Sequence, residues 1–224
     1  MEGVSAAAPS LLTDPELAAT TFVVIDFEGT TPRGFSPEPI EVAAVGLRYQ
    51  DGAWQRTAGF NALMKPPAHA PITRFDTDQT GISRAMVENE PSASTVLARL
   101  DARLTKPPYL LVAHNAPTEA GMIYLYRESC PTLSHTHLLD TVRLARLVLP
   151  DLDRHSLDSL ILHLGIPRPV DRHRAMPDVE ITIILFSRLM SLAAADPTLP
   201  ALAMLFKACG MTAKATLPVQ EGIF

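Results

Sequence analysis

Apolar positions in this chain form short dense runs early and helical stripes later. Thr21–Phe27 is an almost unbroken run of β-branched and aromatic residues, which predicts a buried strand. Ile40–Tyr49 predicts a second strand. Gln50-Asp51-Gly52 then reads as a hairpin turn, so Ala53–Leu63 is expected to return antiparallel. Lys65–Gly81 is rich in proline and polar residues and predicts a loop. From Ser92 the period lengthens: Val96, Leu97 and Leu100 share one helical face, and Ser92 caps a helix reaching Leu104. Tyr109–Ala113 predicts a strand and Pro117–Glu128 a helix. Leu138–Asp140 predicts a short strand, followed by a helix over Thr141–Leu149. His155–Leu164 predicts another helix, stopped by Gly165 and Pro167. A long apolar helix is expected over Met176–Leu192, with Ile181, Ile184, Leu185 and Leu189 as its core stripe. One more is expected over Leu199–Cys209. A three-strand meander followed by alternating strands and helices specifies an α/β domain, a mixed sheet flanked by helices. The expected division is a flexible lead over 1–20 with a short helix at Asp14–Ala19, a main domain over 21–193 and a helical extension over 194–224.

Composition narrows the class. With 224 residues, 47% hydrophobic and 19% charged, the chain can bury a substantial core. No apolar run approaches the ~20 residues that span a bilayer, and Met1–Ser10 lacks the basic start of a signal peptide. A cytoplasmic protein with no membrane partner is expected. Cys130 and Cys209 are far apart and have no metal-ligand spacing, so both are expected to be reduced and buried. The formal net charge of −5 argues against a broad nucleic-acid coat. It permits an enzyme that grips a nucleic-acid end through bound cations, which supply positive charge locally.

The candidate chemistry lies in carboxylates at element ends. Asp26 and Glu28 point to one face of the first strand, because side chains alternate there. Two carboxylates on one face repel unless a proton or cation lies between them, and a D-x-E pair suits a hard divalent ion. Alone, the pair reads equally well as a solvated strand end. Asp178 follows Pro177, which is tolerated only in a helix's first turn. It therefore either complements the helix dipole or ligates metal, with His173 an ordinary loop histidine or a base. Glu119, in A-H-N-A-P-T-E-A-G at 113–121, is likewise either a helix-start residue or a ligand. His135-Thr136-His137 reads as a solvent-facing loop.

Taken in order, D-F-E-G-T, A-H-N-A-P-T-E and H-R-A-M-P-D resemble the three motifs of the DEDDh (DnaQ-like) 3′–5′ exonucleases. I-E-V-A-A-V, T-G-I at 80–82 and L-D-T-V-R-L-A-R fit the same pattern, which covers roughly 21–190. The resemblance implies a ribonuclease-H-like fold and two divalent cations, Mg²⁺ or Mn²⁺, held by Asp26, Glu28, Glu119 and Asp178. It implies His173 as the base acting on water. The implied reaction is hydrolysis of a 3′-terminal phosphodiester of single-stranded DNA or RNA, DNA preferred, releasing nucleoside 5′-monophosphates. Gly29 and Thr30 would hold the terminal nucleotide through their amides, while Ile82 and Phe27 would pack on base or sugar. His114 and Asn115 would brace the site, and Arg172 and Arg174 would either meet phosphate or stay solvated.

The second motif departs from the family's H-N-A-x-F-D. Thr118 stands in the aromatic's place and Glu119 in the aspartate's. The longer arm would shift the second metal, favour Mn²⁺ or reach the metal through water, since Mg²⁺ demands near-octahedral geometry. Two readings stay open: an active exonuclease, and a weak or inactive nuclease-like domain that binds nucleic acid or another protein. A homodimer and a polymerase or repair partner are both compatible with the resemblance.

Overall fold

The structure is a computed structural model and describes residues 10–168 and 173–216. Its centre is a six-stranded sheet. β1 (Thr21–Gly29), β2 (Pro39–Gln50) and β3 (Ala53–Leu63) form the antiparallel meander. β4 (Tyr109–Ala113) lies parallel to β1 on its other side, and β5 (Leu138–Asp140) lies parallel to β4. A two-residue strand, β6 (Gly210–Met211), pairs antiparallel with β5 and completes the order β3-β2-β1-β4-β5-β6.

Both sheet faces are covered, which is why β1 reads as an apolar run instead of an alternation. Phe22 and Val24 face one core with Val45, Leu47, Leu185 and Phe186. Val23, Ile25 and Phe27 face the other with Val42, Leu97, Leu111 and Ile123. Trp54 belongs to the first core, its ring 5.2 Å from Phe22 and 5.1 Å from Phe186. Both cysteines are buried free thiols, each pushed up to about 12 by burial.

The lead proves to be part of this fold. Ser10–Thr20 holds a 3₁₀ turn at Leu11–Thr13 and α1 (Pro15–Ala19), and Leu11 and Leu17 are fully buried in the first core. Asp14 caps α1 by accepting from the Glu16 amide at 3.0 Å and also accepts from the Leu202 amide at 2.6 Å. Ser10–Thr20 is thus no flexible lead: its two leucines fill space that the sheet leaves open. Residues 1–9 lie outside the described residues.

The expected loop over Lys65–Gly81 contains α2 (Arg74–Thr80). With only Phe75 apolar in R-F-D-T-D-Q-T it has no hydrophobic period; a capping box between Thr73 and Asp76 starts it instead. α3 (Arg84–Val87) follows, and α4 (Ala93–Asp101) has the expected Ser92 cap but ends sooner. α5 (Pro117–Leu125) is likewise shorter than expected, and α6 (Pro131–His135) follows it. The polar 135–137 stretch is not all solvent-facing: Thr136 is buried and His137 stacks on Phe206 at 5.5 Å. α7 (Thr141–Val148), α8 (Leu157–His163), α9 (Ala175–Ala194) and α10 (Leu202–Cys209) match the expected helices. Ile181, Leu185 and Leu189 of α9 are buried, whereas Ile184 is exposed, because the buried stripe follows i, i+4 spacing.

Leu17 tests whether the lead belongs to the core. Leu17→Ala is expected to cost about 3 kcal/mol in urea unfolding, the usual loss for a fully buried leucine. A loss below about 0.5 kcal/mol, typical of a surface substitution, would show that the lead is peripheral.

Candidate active site

The topology brings three separate stretches to one end of the sheet. β1 and β4 are parallel neighbours, so their C-terminal ends lie side by side. The first ends in Asp26-Phe27-Glu28; the second leads into His114–Glu119. α9 crosses the first core with its N-terminus at the same end, carrying Asp178 in its first turn. One carboxylate oxygen each from Asp26, Glu28 and Asp178 lies within 4.8 Å of the others. Glu119 is in the first turn of α5, buried, and its Oε2 has no hydrogen-bond partner among the described residues. It stands outside the close trio, but its charge is felt by Asp26.

These groups make ionisation costly for one another. Burial raises the Asp26 carboxyl well above the ordinary carboxylate range, and the charges of Glu119, Glu28 and Asp178 raise it further. Burial raises Glu119 to about 8, with Asp140 and Glu28 adding to the shift. Such a cluster is relieved either by taking up protons or by a bound cation. The donor set is all oxygen, which suits a hard divalent cation, and the unpartnered Glu119 oxygen supplies a further acceptor at its edge. The residues present fit one or more divalent ions.

Around the carboxylates lies a brace. Asp140 caps α7, accepting from the Val142 amide at 2.9 Å, and also accepts from the Asn115 amide at 3.3 Å. Asn115 adopts a left-handed φ of 70° and donates from its side chain to Thr118 at 3.0 Å; asparagine tolerates that conformation better than most residues. His114 Nδ1 lies 2.9 Å from the Thr141 hydroxyl. Both residues thus hydrogen-bond within and around the turn.

His173 is exposed, with a left-handed φ of 68°. It lines a cavity of about 500 Å³ shared with Gln79, Gly81, Met176 and Pro177. The next residue anchors it. Arg174 grips the buried Glu41 with both arms, Nη2–Oε1 at 2.7 Å and Nε–Oε2 at 2.9 Å, and the Ala175 amide donates to Glu41 at 3.0 Å. Arg174 therefore ties the loop to the sheet; Arg172 lies outside the described residues. Glu41 is an anchoring position that sequence reasoning passed over. Its signal was a carboxylate in the otherwise apolar I-E-V-A-A-V, and it pairs across strands with Glu28.

The nucleotide-contact candidates are placed differently from expectation. Phe27 is buried in the second core, on the strand face opposite Asp26 and Glu28. Ile82 is fully buried in a small cluster with Ile40 and Val87. The Thr30 amide is committed to the Glu38 carbonyl at 2.8 Å. Gly29 allows close approach, but of protein: a Cβ there would lie 2.7 Å from Met122 Cε and 3.3 Å from the Glu38 carbonyl oxygen. Phe27, Ile82, Gly29 and the Thr30 amide thus each take part in core packing or strand pairing.

A sheet of this order with carboxylates at the β1 end defines a ribonuclease-H-like nuclease fold. Among solved structures it is similar to the nuclease domain of 3′hExo, a DEDDh family member bound to rAMP: TM-score 0.65, 16% identity, 81% of this chain and 96% of that chain covered. Residues 23–186 match the Exonuclease family of RNase T type, and the chain belongs to that family. It is 32% identical over 181 residues to the PolC-type DNA polymerase III of Thermotoga petrophila, covering 80% of this chain and 12% of that protein. It is 34% identical over 174 residues to the 3′-5′ exonuclease DinG of Bacillus subtilis, covering 75% of this chain and 17% of that protein. The chain thus spans only a small part of the length of these relatives. No helix among the described residues is long and apolar enough to cross a membrane.

Two outcomes follow from the charges. Glu119 has a folded value of about 8 against an ordinary 4.5, so between those values the folded state holds a proton that the unfolded state releases. Its contribution to stability is complete below the lower value and is lost as pH rises through the upper one. In EDTA, the midpoint of thermal unfolding should therefore fall between about pH 6 and about pH 8. Added Mg²⁺ should flatten that slope and release protons on binding, and Glu119→Gln should weaken the slope. A slope of the opposite sign in EDTA would refute the assignment. Separately, Glu41→Ala removes three hydrogen bonds to a buried carboxylate and should cost about 1–3 kcal/mol in urea unfolding.

Proposed function

We propose that this chain is a divalent-metal-dependent 3′–5′ exonuclease that removes nucleoside 5′-monophosphates from single-stranded nucleic acid, DNA in preference to RNA. The convergence of Asp26, Glu28 and Asp178 oxygens within 4.8 Å carries this reading, and the likeness to 3′-5′ exonuclease DinG supports it. In this reading Asp26, Glu28 and Asp178 are the principal ligands and Glu119 completes the set from α5. Divalent cations, Mg²⁺ or Mn²⁺, supply positive charge to the attacking and leaving oxygens when bound. His173 accepts the proton of the attacking water, the role of a general base. The Glu41–Arg174 pair holds the His173 loop in its left-handed turn, and Asp140 holds the turn that presents Glu119. The likeness to PolC-type DNA polymerase III supports a polymerase as the class of partner.

One observation favours the second reading, a weak or inactive nuclease-like binding domain. Glu119 stands outside the close trio, and it occupies the position where the family motif has the shorter aspartate. Release of nucleotides from a 3′-labelled single strand with Mg²⁺ or Mn²⁺ separates the two. Under the exonuclease reading, His173→Ala loses about 10²–10⁴-fold in rate, the usual worth of a general base. Wild-type cleavage no faster than that of His173→Ala would end this reading. Glu119→Ala should lose most activity, while Glu119→Asp should keep or raise it. Cleavage by Glu119→Ala at the parent rate would reduce Glu119 to a helix-start residue.

A further inference from the structure

The sheet face under α4 is covered only in part. α4 ends at Asp101, and beyond it a groove of about 500 Å³ opens over the strands near the start of β1. Its floor is small and apolar, made by Val23, Ala44, Gly46 and Ala58, and Leu100 and Leu104 wall one side. Gly46 matters to its depth: a Cβ there would run into the Thr57 hydroxyl.

The rim is cationic. Arg48, Arg103 and Lys106 line the groove, and no aspartate or glutamate does, although the chain as a whole carries −5. Among the described residues, no carboxylate forms an ion pair with any of the three. Arg103 sits 4.8 Å over the Phe60 ring and donates to the Gly59 carbonyl at 3.0 Å. Arg48 donates from Nη2 to the Ala18 and Ala19 carbonyls at 3.4 and 3.2 Å, while its buried Nε has no hydrogen-bond partner. Neutral carbonyls and a ring face orient these guanidinium groups and leave their charge uncompensated. Val23 and Glu28 are five residues apart on β1, roughly 16 Å along an extended strand, so an occupant here leaves the carboxylate end open.

We propose that this groove docks a segment of a partner protein that presents an apolar side chain flanked by carboxylates. The apolar floor accepts the side chain, and the three rim cations meet the acidic groups, a complementarity that gives specificity and speed of association. A nucleic-acid strand fits less well. Strand-binding surfaces run their positive charge along the backbone, whereas these cations surround one groove whose lining includes none of the carboxylate-site residues.

The test is selection of degenerate short peptides displayed on phage against the intact chain, followed by fluorescence anisotropy of the enriched sequences. Enrichment of peptides pairing Leu or Phe with neighbouring Asp or Glu is expected, with binding weakened by salt. The Arg103→Glu/Lys106→Glu variant should lower their affinity at least about tenfold. Ala58→Trp, which fills the floor and keeps every charge, should weaken them as well; unchanged thermal melting shows that both variants are folded. The proposal is overturned if no acidic-apolar family emerges, if the selected peptides bind both variants as tightly as the parent, or if a short single-stranded oligonucleotide displaces them.

Discussion

Burial makes the charge of Asp26 costly, and repulsion by Glu119, Glu28 and Asp178 makes it more costly still. That repulsion is the constraint around which this end of the molecule is organised. The four carboxylates sit on three kinds of support: Asp26 and Glu28 on a strand end, Glu119 in the first turn of a short helix and Asp178 in the first turn of a long one. None of these supports can relax away without disturbing a core. β1 is buried on both faces, α9 packs along the first core, and α5 contributes Ile123 to the second. The apolar interior therefore holds in place a cluster that would otherwise disperse. A cation binding there relieves repulsion that folding has already stored, so affinity for metal and cost to the metal-free fold are one quantity seen from two sides.

The same economy explains the brace. Glu41 is a fifth carboxylate at the cluster, and it too raises Asp26. It is tolerated because Arg174 and the Ala175 amide neutralise it with three hydrogen bonds. Those bonds also set the residue before them, His173, in a conformation a histidine rarely adopts. One buried ion pair thus compensates a charge in the sheet and fixes the loop that carries the proposed base. Left-handed residues persist only where the surroundings over-determine them, and Asn115 on the opposite side is held in the same manner.

The fold was largely legible because its strong signals are local. Apolar runs, the Gln50-Asp51-Gly52 turn and the Ser92 cap mark β1 to β5 and the longer helices. What escaped has no such signal. α2 is started by the Thr73–Asp76 exchange and has no apolar stripe, and β6 is two residues that pair only because α10 delivers them. The burial of Leu11 and Leu17 had no such signal either, since nothing local reveals the gap in the core that they fill. At the site, the acidic residues were legible through motif order and strand alternation. The bonding of the Thr30 amide to the Glu38 carbonyl was not: it depends on the register shift between Glu28 and Gly29, which no spacing in the sequence encodes.

Seen along β1, charge is segregated: carboxylates gather where the strand ends, and unpaired guanidinium and ammonium groups gather where it begins. Screening over this distance in salt is substantial, so the two ends interact weakly and neither needs the other for stability. Each does need something from outside. Divalent cations complete the acidic end, whose donors are hard oxygens in a buried setting. The basic end has an apolar floor and guanidinium groups already oriented by backbone carbonyls and a phenyl ring, so little ordering remains to oppose a ligand there. This arrangement suits a domain that relatives carry within much longer chains: one end faces the reaction while the opposite end is free to be held.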